Sequence, residues 1–422
     1  MRATILTVGD EILIGQVVDT NAAWLGEQLS LVGVTVNRME TVGDDLAVIQ
    51  EALEQAFAEG DLVIVTGGLG PTHDDVTRNA VAAFFGVPLV SDPAILSALE
   101  ARFAARARPM SEKNRVLAEV PVGFDVLENP KGTAPGLWGE RTVGGRLQTV
   151  VMMPGVPYEM EAITTAHVLP RLQERADRVV LHKTLLTVGQ GESMLADQLG
   201  ALDDLFDDGL SVAFLPGRGV VRIRLTVHGS DRREAQAALD RGLARLRRDL
   251  GDLVFGEDDQ TLEGVVGAML VERGLYLSVA ESCTGGAVAS QLTSVPGASH
   301  YFNGGVVAYG NGVKTALLGV GVDALDEHGA VSEAVARQMA AGVREALGAD
   351  LAIATTGIAG PTGGTPEKPV GTVWLGYADA DETHAVRLQL THDRAINIGL
   401  STTAALNLVR RQLLRKDAVL EA

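Results

Sequence analysis

The chain has one cysteine, Cys283, in 422 residues, so no internal disulfide can form and no Cys cluster is present for a structural zinc. Aromatic residues make up 4% of the chain, and basic residues are outnumbered, 35 Lys plus Arg against 54 Asp plus Glu, for a net charge of −19. Such a balance repels a phosphate backbone, and no basic or aromatic surface is apparent, so direct nucleic-acid binding is not expected. No apolar run approaches the roughly 20 residues of a membrane-spanning helix. The residues from Met1 run straight into a strand pattern with no secretory leader, so the expectation is a cytoplasmic protein without a membrane partner.

What is present is 46% hydrophobic residue spread over a length too great for one core. Short apolar runs (ATILTVG, TVNRMETVG, DLVIVTGG) alternate with helical periods (TNAAWLGEQLSLVG, DDLAVIQEALEQAFAEG) through the first 170 residues or so. Strand, helix, strand in that order predicts a doubly wound α/β layer with its ligand beyond the strand carboxyl ends. Residues 171–256 change pattern and predict a small α+β connector, whose helix gathers Ala235, Leu239, Leu243, Leu246 and Leu250 on one face. Its Arg241, Arg245, Arg247 and Arg248 read as a solvated face. Residues 257–422 predict a second doubly wound α/β domain ending in a long helix from about Arg394 to Leu414.

Three strand ends in that last domain carry polar chemistry. AESCTGG places Ser282, Cys283 and Thr284 between a strand and a helix beginning near Gly285, where a hydroxyl would sit beside backbone N–H groups and the positive helix end. Gly285 and Gly286 allow close approach of a substrate, although a Ser or Thr there could simply cap the helix. VVAYGNGVKTALLG supplies Tyr309 and Lys314; a neutral lysine could take a serine proton, yet alone it reads equally as a surface lysine, and Tyr309 as a packed aromatic. TTGIAGPTGG at 355–364 is a glycine-rich loop able to offer N–H groups to phosphate. Cys283 competes with Ser282 as nucleophile, or is a buried packing residue.

In the first domain VIVTGGLGPTHDD brings Gly67, Gly68 and Gly70 together with Asp74 and Asp75, while Asp44 and Asp45, then Asp10 and Glu11, follow two other strands. Acidic groups in a glycine-lined crevice suit a divalent metal bridging phosphate oxygens; any single pair also suits a turn or cap. Arg102, Arg106, Arg108, Lys113 and Arg115 form a local basic cluster that either steers an anion or coats a helix.

Taken together, AESCTGG, the Tyr309, Asn311, Lys314 spacing, HGAVSE at 328–333 and TTGIAGPTGGTPEKPVGTVW resemble the C-terminal domain of the CinA family, also called the PncC amidase. The first domain resembles the molybdopterin-binding fold in its CinA version, through TVGDEILIGQVVDTN, TGGLGPTHDDVT, NPKGTAPG and MPGVPYEM. The resemblance implies hydrolysis of nicotinamide mononucleotide to nicotinic acid mononucleotide and ammonia, in pyridine-nucleotide salvage. Ser282 is then the nucleophile and Lys314 the base assisted by Tyr309. Thr284, Gly285, Gly286, Asn311, Thr356, Gly357 and Arg394 hold the substrate, and no cofactor is required there.

For the first domain the resemblance implies a metal-dependent ADP-ribose pyrophosphatase, with Asp44, Asp74 and Asp75 at a divalent metal and Gly67, Gly68 and Gly70 around phosphate. It also implies a homodimer. Two departures from the family pattern touch nucleotide binding: Asn397 stands where a second arginine is usual, and Leu117 where a glutamine is. The rival reading is a competence-associated interaction protein that acts through protein partners, its first domain a pterin-binding module without catalysis.

Overall fold

The computed structural model describes residues 1–105, 109–175, 179–202, 205 and 209–420, and it divides into two compact units. Unit one comprises Met1–Leu181 with His228–Gln236, and unit two His182–Val227 with Ala237–Ala422.

In unit one the strands β1 (Arg2–Val8), β2 (Thr35–Val42), β3 (Leu62–Thr66), β4 (Leu89–Ser91), β5 (Glu119–Pro121), β6 (Asp125–Leu127), β7 (Gly136–Val143) and β8 (Arg146–Met153) build a six-stranded sheet of order β2-β1-β3-β8-β7-β6 and a β4-β5 pair. The first four are parallel, and β7 and β6 run antiparallel. The period of two along each strand sorts side chains onto two faces. Leu6, Val63, Val65, Val150 and Met152 meet Ile49, Leu53 and Val81 of the helices Leu46–Glu59 and Thr77–Phe85. Ile5, Ile64, Val151 and Met153 meet Leu25, Leu29, Met160 and Ile163 of the helices Thr20–Leu31 and Pro157–Ile163. Helices on both faces of a mostly parallel sheet make it the doubly wound layer expected. Leu172, in the helix Leu169–Glu174, also lies in this second core, so the apolar packing of unit one continues past residue 170.

The connector sheet has the order β10-β11-β9-β12, formed by β9 (Val179–Val188), β10 (Leu210–Pro216), β11 (Val220–Gly229) and β12 (Val254–Glu257). The connector helix Arg232–Leu250 runs between β11 and β12. Among its arginines, Arg245 and Arg248 pair with Asp249, and Arg247 with Glu257.

The last sheet has the order β14-β13-β15-β16-β17: β13 (Leu277–Glu281), β14 (Phe302–Val307), β15 (Leu351–Gly357), β16 (Thr372–Ala378) and β17 (Thr383–Gln389). The first three are parallel and the last two antiparallel. One face is large and apolar, with Val279, Ile353, Leu375 and Tyr377 against Val266, Leu270, Leu406 and Val409. The other is built of alanines, Ala280, Ala352, Ala354 and Ala378, against Val335, Met339 and Val343. Small residues let the helix Glu333–Leu347 lie so close that a Cβ on Gly376 would stand 2.1 Å from the Ala336 carbonyl oxygen. The long last helix extends from Arg394 to Leu420, six residues beyond its expected end. Among the described residues no helix is long and apolar enough to cross a membrane.

Candidate active site

The strand order places three chain segments side by side at the carboxyl end of the last sheet. Ser282 follows the central strand β13, Ala308 and Tyr309 follow β14, and Thr355 to Gly357 close β15. Two backbone bonds lock the ends: Ser282 N–H donates to Thr355 O at 2.9 Å and Ala308 N–H to Glu281 O at 2.7 Å.

Lys314 comes in from the helix Asn311–Leu318 and is 1% exposed. Its Nζ lies 3.2 Å from Ser282 Oγ, 2.7 Å from Ala308 O and 3.1 Å from Tyr309 O. Carbonyl oxygens only accept, so a neutral amine gives its two hydrogens to them and turns its lone pair to the serine hydroxyl. Burial pushes the lysine below its ordinary range, because the charged form is the one that loses hydration. Ser282 itself is half-buried.

Cys283 does not share this arrangement. It is 6% exposed, belongs to the core under the sheet, and burial pushes its thiol up to about 11. A raised pKa keeps the reactive thiolate scarce, which disfavours Cys283 as the competing nucleophile.

A residue that the sequence reading passed over organises the loop. Glu281 ends β13 at 1% exposed, and its Oε2 accepts from Gly286 N–H at 2.8 Å, Val288 N–H at 3.1 Å and Thr284 Oγ1 at 2.7 Å. Its Oε1 accepts from Ala289 N–H at 2.8 Å. The buried carboxylate therefore caps the helix Ala287–Ser294, and the N–H groups expected to meet the substrate there are already engaged. The signal for it was an acid at the end of an otherwise apolar strand, LYLSVAE. Gly285 and Gly286, at φ +65° and +106°, make the left-handed turn that folds the loop back over this carboxylate. Replacing Glu281 by alanine leaves three buried or half-buried N–H groups unpaired, and a loss of about 2–4 kcal/mol in stability is expected, read from urea unfolding.

Several residues expected to hold substrate are turned inward. Thr284 is 4% exposed, its hydroxyl 2.7 Å from Thr355 Oγ1 as well as bonded to Glu281. Thr356 is 1% exposed and donates to Ala330 O at 2.7 Å, anchoring the HGAVSE segment. Gly357 is required by packing, since a Cβ would lie 2.7 Å from Val373 Cγ2. Asn311 is exposed at the start of the lysine's helix.

Tyr309 touches Lys314 through its carbonyl, while its exposed phenol accepts from Arg394 Nη2 at 3.1 Å. Arg394 also reaches Gly360 O at 3.2 Å through Nη1, so Ser282, Lys314, Tyr309 and Arg394 form one linked group.

Asn397 is no truncated phosphate clamp. It is 1% exposed, accepts from Thr391 N–H at 2.9 Å and Thr391 Oγ1 at 2.8 Å, and donates to Ala359 O and Thr391 O, both at 2.9 Å. It ties the β15–β16 loop to the start of the last helix. Asn397→Ala should cost about 1–3 kcal/mol in a urea titration while leaving the substrate KM within about twofold; a selective rise in KM without destabilisation would contradict this role.

In unit one a cavity of ≈ 600 Å³ is lined by Gly67, Gly68, Gly70, Asp44, Asp74 and Asp75, among others. The predicted metal set does not assemble in it: among the described residues no group of three or more His, Cys, Asp or Glu is gathered for a metal. Asp75 is committed to its own turn, accepting from Gly70 N–H at 2.7 Å, Thr72 N–H at 2.8 Å and the Thr72 hydroxyl. Asp44 accepts from Asp10 N–H at 3.0 Å and is raised by burial, with repulsion from Asp10, Glu11 and Asp74 adding to the rise.

The glycines here also answer to packing. A Cβ on Gly67 would lie 2.1 Å from Val8 O, and one on Gly68 2.2 Å from Thr77 Oγ1. Leu117 is buried and lines the cavity. Of the basic cluster, Arg102 binds the carbonyls of Asn129, Gly132 and Pro130, and Arg115 pairs with Glu100 and Glu112. Arg106 and Arg108 lie outside the described residues. Arg102 and Arg115 are thus engaged locally, while Lys113 is exposed.

Three family models match this chain in succession: a probable molybdopterin-binding domain over residues 4–174, the damage-inducible protein CinA KH domain over 182–256, and the CinA C-terminal domain over 259–413. The architecture is therefore a molybdopterin-binding-like α/β domain followed by a KH domain and a CinA C-terminal domain. A CinA-like protein of Salinibacter ruber is 50% identical over 416 residues, spanning 98% of this chain and 100% of its own. A putative competence-damage inducible protein of Moorella thermoacetica is 43% identical over 416 residues, spanning 98% and 99%. The chain belongs to the CinA family. Among solved structures, a competence/damage inducible protein of Agrobacterium tumefaciens is 37% identical over 36% of this chain and 92% of its own, with a TM-score of 0.35.

Proposed function

We propose that unit two hydrolyses the carboxamide of nicotinamide mononucleotide, releasing ammonia and nicotinic acid mononucleotide. The observation that carries the reading is the buried lysine amine 3.2 Å from a serine hydroxyl. Neutral Lys314 takes the Ser282 proton as Oγ attacks the amide carbon. The resulting ammonium returns that proton to the departing nitrogen, so the C–N bond breaks and an acyl-serine forms. Water, deprotonated by the same amine, then cleaves the ester and restores the serine.

The oxyanion needs donors other than those held by Glu281. The N–H groups of Cys283 and Thr284, which make no backbone hydrogen bond among the described residues, are the nearest in sequence to the nucleophile. Arg394, exposed and held to the Tyr309 phenol, is suited to the substrate's phosphate. Ammonia release from purified protein supplied with nicotinamide mononucleotide tests the reading; no release above a protein-free control would end it.

For unit one we propose a phosphate-bearing small molecule in the ≈ 600 Å³ cavity, with ADP-ribose as the candidate. Two buried polar atoms of its lining, Thr7 Oγ1 and Asn21 Oδ1, have no partner among the described residues and favour a polar occupant. The carboxylates present do not form a ready chelate, so no step is assigned to a metal. Production of AMP from ADP-ribose, with and without added divalent ion, tests both parts.

A further inference from the structure

We infer that unit two carries a second ligand site, separate from Ser282, for a small organic anion with an apolar ring and a hydroxyl or amide hydrogen. The central observation is Arg410, 3% exposed in the last helix and without an ion pair among the described residues. Its Nε donates to Asn407 Oδ1 at 3.1 Å, Nη1 to Val254 O at 3.5 Å and Nη2 to Asp252 O at 2.5 Å. All three acceptors are neutral. A guanidinium has five N–H groups, so two stay available, and its charge, in a place where hydration is lost, has the Asp252 carboxylate nearby but no direct ion pair among the described residues.

A cavity of ≈ 370 Å³ opens beside it, lined by Gln190, Gln198, Asp252, Asn407, Arg410 and Arg411. Arg411 is exposed and likewise has no ion pair among the described residues, so two guanidinium groups face one carboxylate there. The cavity is positive on balance, in a chain whose net charge is −19. An anionic head fits this balance.

A second cleft of ≈ 560 Å³ shares Gln190, Asn407 and Arg411 with the first, and its other walls include Val386, Leu388, Leu390, Leu400 and Ala404. That size is ordinary for a small-molecule site, about 300–1,000 Å³. Glu192 also lines the cleft and disfavours a second negative charge there, which directs the head to the arginines and the ring to the leucines. Between the two, Gln190 Oε1 is buried without a hydrogen-bond partner among the described residues, an acceptor waiting for a donor. Among the described residues no hydrogen bond joins these side chains to Ser282, Lys314, Tyr309 or Arg394, so the inference stands or falls apart from the amidase reading.

The full chain should be titrated calorimetrically with 4-hydroxyphenyl phosphate, phenyl phosphate and inorganic phosphate. Affinity is expected to fall in that order. Arg411→Glu, a change at an exposed side chain, should weaken binding of the first probe at least tenfold. Ala404→Phe, which fills the cleft, should bring the aromatic probes down to the level of inorganic phosphate. No saturable binding of 4-hydroxyphenyl phosphate to the unaltered chain, or equal affinity in both variants, would overturn the site.

Discussion

Ser282→Ala is expected to lower the rate of ammonia release from nicotinamide mononucleotide by about 10⁴-fold or more, because the attacking oxygen is lost and water has no equally placed substitute. Cys283→Ala, one residue on, should keep kcat within a few-fold. The contrast follows from burial: the serine is half-exposed with an amine at 3.2 Å, whereas the thiol faces the core and its ionisation is pushed up to about 11. Removing the Cys283 side chain costs some packing, so its Tm should fall while activity survives. Full activity in the serine variant, or its loss in the cysteine variant with the fold intact, would reverse the assignment.

Lys314→Met should reduce kcat/KM by about 10²–10⁴-fold, the range for a general base. Methionine matches the length and apolar stem of the lysine, so the reduction reports the amine and not a cavity. Activity of the unaltered chain should rise with pH and level off below the ordinary lysine value of 10.5, since desolvation lowers this group. The sign for stability is the same. Between the lowered folded pKa and 10.5 the unfolded chain binds more protons than the folded one, so stability rises with pH across that window. Below it the fold carries a buried ammonium, held by the carbonyls of Ala308 and Tyr309. Lys314→Met should therefore flatten both the activity profile and this part of the stability profile. A rate that falls as pH rises through that window, or a variant with unaltered kcat/KM, would exclude the amine as base.

Much of the site was legible because its parts are short and local. AESCTGG, the Tyr309 to Lys314 spacing and TTGIAGPTGG each lie at a strand end, and a parallel sheet brings such ends together whatever the intervening loops do. The readings that changed are those that depended on where a side chain points. Thr284, in the loop after β13, and Thr356, near the end of β15, turn inward to Glu281 and Ala330, a choice that the motif alone does not contain. Asp75 was read as a metal ligand through the family resemblance; in the structure its carboxylate accepts from Gly70 N–H, Thr72 N–H and the Thr72 hydroxyl within its own turn. Asn397 looked like a missing arginine, and instead fastens two loops whose meeting point is set 38 residues away in sequence, at Ala359.

The sequence by itself marked the first three strands of the first domain and four of the five strands of the last sheet, since the period of two or of 3.6 is a property of neighbouring residues, and it determined the family through motifs at strand ends, while β4 to β8 and β17 (Thr383–Gln389) were not read from it. Only the tertiary structure decided that Lys314 is buried and its pKa thereby lowered, that Glu281 closes the helix beside the nucleophile, and that Arg410 donates to neutral acceptors. Dehydration and hydrogen-bond completion are set by what other parts of the chain bring to a side chain, and such long-range neighbours leave no mark on the local pattern.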